Sequence, residues 1–213
     1  ANEADLSLTT TGKLGVNEDM FRSHLAENIP VGGSVVRGSE RSFVTFLNKL
    51  RFDTFKSLMN EAKDIGTDIT DPEVAKGIAN YINVMTGRGG LGSLKSSTEA
   101  LNNAFYSPGM ISSRLQILAA PVQAAAGKGF IAELPKGLRK EAAKSYASII
   151  GLNTTALGLA TMAGNSVGLN PLSSEFLKFK DGDTRLDFGA GLTQYIVAGA
   201  RAYQRQSTSG GEE

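Results

Sequence analysis

The sequence predicts a mainly α fold: an irregular helical bundle around one long apolar, Ala/Gly-rich helix, with one C-terminal β-hairpin. Three observations carry this expectation. Apolar residues recur at three- and four-residue spacing over 39–65 and again over 72–86, the period of helices with one covered face. Residues 145–174 contain no Asp, Glu, Lys or Arg. The stretch from Phe176 to Phe188 surrounds Asp181-Gly182, among the strongest turn signals for a hairpin.

Taken in order, residues 1–16 carry Thr and Gly with little apolar periodicity and read as an extended or loosely held arm. Asn17-Glu18-Asp19 starts a helix through Phe21 and Leu25 that stops before Pro30, because a capping residue followed by acids suits a helix N-terminus. Val31-Gly32-Gly33-Ser34 reads as a loop. Ser39 then caps a long helix over 39–65, whose Phe43, Phe46, Leu47, Leu50, Leu58, Ala62 and Ile65 form one apolar face. Gly66 stops it. Thr70-Asp71-Pro72-Glu73 combines a capping box with proline in the first turn. The helix it opens runs to about Thr86 and buries Val74, Ile78, Ile82 and Met85.

The glycines from Gly87 to Gly92 break that helix, and Ser96-Ser97-Thr98-Glu99 opens a short one. Ser107-Pro108 starts another, with Met110, Ile111, Leu115 and Leu118, which Pro121 should kink or end. After the Gly127-Lys128-Gly129 loop, Pro135 can start the central helix. The hairpin is expected at about 176–188, a last helix at about 190–205 with Leu192, Tyr195, Ile196 and Ala200 on one face, and a polar tail at 207–213, disordered unless a partner holds it. Between arm and tail the chain reads as one helical domain over 17–206.

The charge-free stretch admits two readings. It is long enough to span a bilayer, and Ala156, Ala160, Gly164 and Gly168 form a ladder of small residues at every fourth position, which lets another helix approach closely. Ser148, Asn153, Thr154, Thr155 and Thr161 make a poor lipid-facing surface. The composition therefore favours a buried central helix of the domain over a membrane-inserting helix at 145–169.

Composition excludes several chemistries. The chain has 213 residues, no cysteine and one histidine, which rules out disulfides, thiolate metal sites and multi-histidine metal sites. Lys and Arg number 22 against 21 Asp and Glu, so no global field draws in nucleic acid or an anionic membrane. No secretory signal is visible, and the chain opens on Ala1 rather than Met, as a processed, trimmed or partial protein would. His24, beside Arg22 and Glu27, reads as a surface residue. Gly87 to Gly92 follows a helix and lacks the Gly-Lys-Ser/Thr ending of a phosphate loop, although Arg88 could meet a phosphate or carboxylate. Asp181, Asp183 and Asp187 lack the later glutamate of a calcium loop. No catalytic residue, metal site, cofactor or small-molecule substrate is expected.

Several blocks in order resemble a conserved region of the large polyvalent proteins of bacteriophages. They are Ser39 to Phe43 with Phe46 to Arg51, Ile78 to Gly89, Leu101 to Pro108 with Ser112 to Gln116, Pro171 to Phe176, Gly182 to Asp187 and Gly191 to Gln194, covering roughly 39–205. Two positions depart from the family pattern: Gly109 stands where Arg is favoured, and Leu177-Lys178-Phe179 where Gly-Lys-Ile is favoured. These departures affect contacts that the missing basic residue would make rather than the fold.

The resemblance implies a non-enzymatic phage protein of the virion, present in the host cytoplasm before assembly. It would be an internal, portal-associated or DNA-ejection component that contacts other virion proteins and self-associates. Arg88, Arg114 and Arg185 lie inside the resembling blocks and are its candidate interaction residues, although the reading of each as a structural ion-pair or capping arginine is favoured. Two alternatives are a membrane-active ejection protein using the 145–169 helix, and a nucleic-acid-binding module using Arg41, Lys49, Arg51 and Lys56 with Arg88.

Overall fold

A computed structural model describes residues 4–8, 32–91, 108–187, 189 and 191–209. The expected helix after Asn17, His24 and the short helix after Ser96 lie outside these residues. The described residues form six helices and one three-stranded antiparallel sheet. They are α1 (Gly32–Asp64), α2 (Pro72–Met85), α3 (Pro108–Ala125), α4 (Gly129–Ala132), α5 (Lys136–Met162), β1 (Ser166–Val167), β2 (Lys178–Asp181), β3 (Thr184–Asp187) and α6 (Thr193–Ser209). The mainly helical class holds. The chain divides into two compact units, Ala1–Lys140 and Glu141–Glu213, where one domain over 17–206 was expected.

The first unit is built on α2, which packs against α1, α3 and α4. Asp71 is its N-cap, accepting a hydrogen bond from the Glu73 N–H at 2.9 Å, with Pro72 in the first turn. Thr70 does not cap. Its N–H and hydroxyl donate to Asp68 at 2.9 and 2.6 Å, and these bonds, the hydroxyl first, hold the Asp68 carboxyl below its ordinary value. A short polar side chain in an extended conformation directly before Pro72 can reach the second helical N–H, and Asp71 is the residue placed there. Gly77, Ile78, Ala79, Ile82 and Val84 are buried, close to the expected set, but Met85 is exposed. At the other end Gly87, with φ 83, closes the helix in a Schellman pattern: Gly87 N–H to Val84 O at 3.2 Å and Arg88 N–H to Asn83 O at 2.7 Å.

Helix α1 departs from expectation twice. It begins at Gly32, running through the stretch read as a loop; the first-turn N–H groups of any helix lack internal partners, so glycines are tolerated there. Its buried side chains are Val44, Arg51, Phe55 and Ala62, whereas Phe43, Phe46, Leu50 and Ile65 are exposed. The covered stripe lies one residue further round the helix from the most apolar one. In α3 Met110 and Leu115 are exposed while Ser113, Ile117 and Ala120 are buried. Pro121 lies inside α3 rather than ending it.

The expected buried central helix is corrected. Helix α5 exists, but beyond Lys144 it is no core: Ile149, Ile150, Leu152, Leu159 and Met162 are exposed, Leu152 by 71% and Met162 by 85%. Among the described residues no helix is long and apolar enough to cross a membrane. The reason is visible in the side chains. Gly151 and Gly158 have nothing within 4 Å of where a Cβ would stand, whereas on the expected ladder Ala160 is buried and Ala156 half-buried.

In the second unit α5 ends at Gly164, φ 87, with Gly164 N–H to Thr161 O at 3.0 Å and Asn165 N–H to Ala160 O at 3.0 Å. The hairpin is present as β2 and β3, with Asp181 opposite Thr184, so Gly182-Asp183 forms the loop rather than Asp181-Gly182. Gly182 takes φ 57 at the first loop position, where a type II′ turn places glycine. The sheet gains a third strand, since Ser166 and Val167 pair with Lys180 and Phe179. The Asp187 carboxylate accepts from the Gly189 N–H at 2.7 Å and the Thr193 hydroxyl at 3.1 Å, joining β3 to the start of α6. Helix α6 runs to Ser209, into the expected tail. Thr193 and Val197 are its buried residues and Ile196 is exposed.

Candidate functional site

A set of side-chain to main-chain hydrogen bonds in the first unit lies where residues 4–8 meet α2. This segment is docked, not loose: Ala4 and Leu6 are buried. The Ser7 N–H donates to Asn83 Oδ1 at 2.9 Å, and Asn83 Nδ2 donates to the Asp5 carbonyl at 3.0 Å. One amide side chain therefore grips the main chain on both sides of Leu6. Arg88 Nη1 donates to the Ser7 carbonyl at 2.6 Å and to its hydroxyl at 3.3 Å. Asp5 takes φ 57, a left-handed conformation that Asp adopts more readily than most residues.

These contacts depend on how α2 ends. The Schellman closure at Gly87 turns the chain so that Arg88, just past the helix, reaches the segment that Asn83 holds from the last turn. Gly89 is fixed by its N–H to the Ser113 hydroxyl at 2.5 Å, and a Cβ there would press on Ser113 and Gln116. From below, Arg51 of α1 is 3% exposed and donates from Nε to the Thr86 hydroxyl at 3.1 Å and from Nη2 to the Thr86 carbonyl at 3.4 Å. A buried guanidinium thus sits on the carboxyl end of α2, where the helix dipole favours a cation.

Beside the docked segment lies a cleft of about 470 Å³ lined by Ala4, Asp5, Glu73, Lys76, Gly77, Asn80, Asn83 and Glu133. Asn80 Nδ2 donates to Glu133 Oε2 at 2.6 Å and Lys76 Nζ to Glu73 Oε1 at 3.1 Å. Gly77 lets α2 touch the Glu133 main chain, because a Cβ would overlap the Glu133 carbonyl. Tyr81 packs on Phe130 with ring centroids 5.9 Å apart, and burial raises its phenol pKa. The cleft offers carboxylates, amides and one ammonium, groups suited to hydrogen bonding and ion pairing with a peptide. Among the described residues no group of three or more His, Cys, Asp or Glu could hold a metal ion.

The sequence-derived candidates are not gathered in one place. Arg88 belongs to the docking contact. Arg114 is half-buried on α3. Arg185, in the second unit, pairs with Glu175 at 2.7 Å, both side chains exposed, and such a pair contributes little. Of the proposed nucleic-acid set, Arg51 is buried on Thr86 and Arg88 is engaged with Ser7, while Lys49 pairs with Asp53. The small-residue ladder does not follow one helix. Ala156 and Ala160 lie on α5, Gly164 is its terminating residue, and Gly168 bridges to Phe176, where a Cβ would overlap the Glu175 carbonyl. Asn83 was not singled out from the sequence; an Asn in the last helical turn carries no local signal that it will bind a segment 76 residues away. Comparison with protein-family models, curated proteins and solved structures finds no match in any of the three.

Proposed function

We propose that this chain is a non-enzymatic assembly protein that acts by protein–protein contact, and that it is a bacteriophage virion component, internal, portal-associated or part of the ejection apparatus. The observation that carries the assembly reading is the bare apolar stripe of α5. Ile149, Leu152, Leu159 and Met162 recur at three- and seven-residue spacing, and all are exposed. Monomeric soluble proteins seldom leave such a stripe uncovered.

The polar residues of α5 support the same reading. Asn153 Nδ2 donates to the Ile149 carbonyl at 2.8 Å, the Thr154 hydroxyl to Ile150 at 2.9 Å and the Thr161 hydroxyl to Leu157 at 2.9 Å. Their donors are satisfied within the helix, which lowers the cost of covering this surface with a partner. In the first unit Phe43, Phe46 and Leu50 of α1 form a second exposed apolar strip. The phage placement rests on the sequence blocks over 39–205.

The test is mass spectrometry of purified, nuclease-treated particles of the parent phage, carried out with wild type and with the double substitution Leu152→Ser and Leu159→Ser. The expected result is the chain at stoichiometric level in wild-type particles and its loss from particles carrying the double variant. Absence from wild-type particles would sink the virion reading, and full incorporation of the double variant would remove the role of the α5 stripe.

A further inference from the structure

We propose that the exposed face of α5 pairs with the same face of a second copy of this chain, the two helices running antiparallel about a two-fold axis near Thr155. The proposal rests on the assembly reading above and names the partner that covers the stripe.

Spacing sets out the face. Residues seven apart fall within about 20° of one line along a helix. Gly151 and Gly158 form one such line and Leu152 and Leu159 another, with Ser148, Thr155 and Met162 running between them. All of these residues are exposed, and nothing comes within 4 Å of where a Cβ would stand on either glycine. The face therefore has a low edge and a high edge. A contact between identical surfaces must be self-complementary, and this spacing is. With Thr155 opposite Thr155 in an antiparallel pair, Gly151 lies beside Gly158 of the second copy and Leu152 beside Leu159, each pair made twice. Ser148 then faces Met162. Glycine against glycine lets the backbones close along one edge. Leucine against leucine removes apolar surface from water along the other.

Charge selects the direction. Over its first turns α5 carries Lys136, Arg139, Lys140 and Lys144 against one acid, Glu141, and beyond Lys144 it has no charge. A parallel pair would bring two basic ends together. The antiparallel pair separates them and sets each Lys144 beside the other helix's carboxyl end at Gly164, where the helix dipole favours a cation. Size sets the strength. From Lys144 to Met162 the face is about 27 Å long and roughly 10 Å wide, well short of the about 800 Å² that each partner buries in a stable interface. The contact is therefore reversible and is filled when copies are concentrated, as in an assembling particle.

The experiment uses the full chain. Sedimentation of wild type over a wide concentration range should show a reversible monomer–dimer equilibrium. Leu152→Ser with Leu159→Ser should move it to at least about tenfold higher concentration, the effect of losing central interface anchors. Gly151→Leu with Gly158→Leu should do the same by filling the low edge, with side chains that meet nothing in the folded chain. Melting at low concentration, undiminished in both variants, separates this from misfolding. The chain has no cysteine, so introduced ones report the direction. Under mild oxidation Ser148→Cys mixed with Met162→Cys should give the mixed disulfide. Ser148→Cys alone should not cross-link, because the antiparallel pair holds its two copies roughly 21 Å apart along the axis. Cross-linking of Ser148→Cys to itself in place of Met162→Cys would make the pair parallel and overturn the proposal, as would association that ignores both double variants. A chain that stays monomeric at every concentration would also overturn it. The assembly reading would then still stand if the leucine double variant is lost from particles, with a different protein covering the stripe, and would fail as well if that variant is incorporated in full.

Discussion

Helices α2 and α5 carry similar proportions of small and aliphatic residues, yet they behave in opposite ways. In α2 the glycine and alanine at 77 and 79 bring neighbouring chain into contact, and Ile78 between them is 0% exposed. In α5 Gly151 and Gly158 face open space, and Leu152 and Leu159 beside them are exposed while Leu157 is half-buried. A small residue is a contact point only when larger neighbours on adjacent elements fill the room it leaves. For α2 those neighbours are the Glu133 main chain, Phe130 on Tyr81 and Arg51 on Thr86. Beyond Lys144, Ala160 is the one buried residue of α5, and Ile149, Ile150, Leu152, Leu159 and Met162 are exposed.

The contrast breaks most sharply under truncation. Ile78→Ala should destabilise the chain by about 2–5 kcal/mol, as expected for a fully buried aliphatic side chain. Leu152→Ala should stay within about 0.5 kcal/mol, as expected of an exposed one. Denaturant unfolding followed at low protein concentration checks both. An equal loss for the two would mean that the α5 stripe is covered in solution.

A pair of threonines gives the next contrast. The Thr86 hydroxyl accepts from the buried Arg51 and donates to the Ile82 carbonyl at 2.7 Å. Thr86→Val removes that acceptor while keeping the shape, and should cost about 1–3 kcal/mol by leaving a buried charge-bearing donor short of a partner. Thr161→Val on α5 loses only an exposed hydroxyl bonded to its own helix, and should stay within about 0.5 kcal/mol. The same denaturation series reads both.

The glycines differ in sign. Gly77→Ala forces a methyl group onto the Glu133 carbonyl and should destabilise by about 1–3 kcal/mol. Gly158→Ala adds a methyl to an open helical position and should stabilise by up to about 1 kcal/mol, the difference in helix propensity. Thermal melts of the two variants decide it; a stabilising Gly77→Ala would show that α2 and Glu133 are not in close contact.

These contrasts also mark what could be read from the sequence. Helix ends were legible because they are local. Gly66 and Gly87 stop helices where the pattern placed them, and Pro72 opens α2. The hairpin was legible to within one residue because Asp-Gly allows few alternatives. Gly164 was misread, since a four-residue spacing of small residues continues unchanged across a helix end, and only the change in φ breaks it. The covered faces of α1 and α3 were not legible either. On α1 two adjacent stripes both hold large apolar residues, Phe43 with Leu50 and Val44 with Phe55, and partners distant in sequence choose between them. The docking of residues 4–8 rests on bonds across 76 to 81 residues, beyond any periodicity.

The smallest expected effect is in alkali, and it again sets α2 against α5. Burial raises the phenol pKa of Tyr81 on α2 and of Tyr146 on α5. A phenol raised in the folded state ionises first in the unfolded chain. Its contribution to stability is therefore fully present below the unfolded value near 10 and is lost as pH rises through the raised folded value. Tyr81→Phe keeps the ring on Phe130 and removes the ionisation, so stability should fall less steeply above that point, and Tyr146→Phe should act in the same direction. Melting followed against pH, with phenolate absorbance identifying each titration, measures the two slopes. The Tyr81 variant should flatten the curve more, because its ring lies against Phe130 within the packed surroundings of α2. A larger effect from Tyr146 would place the better-covered environment on α5 and reverse the ranking of the two helices.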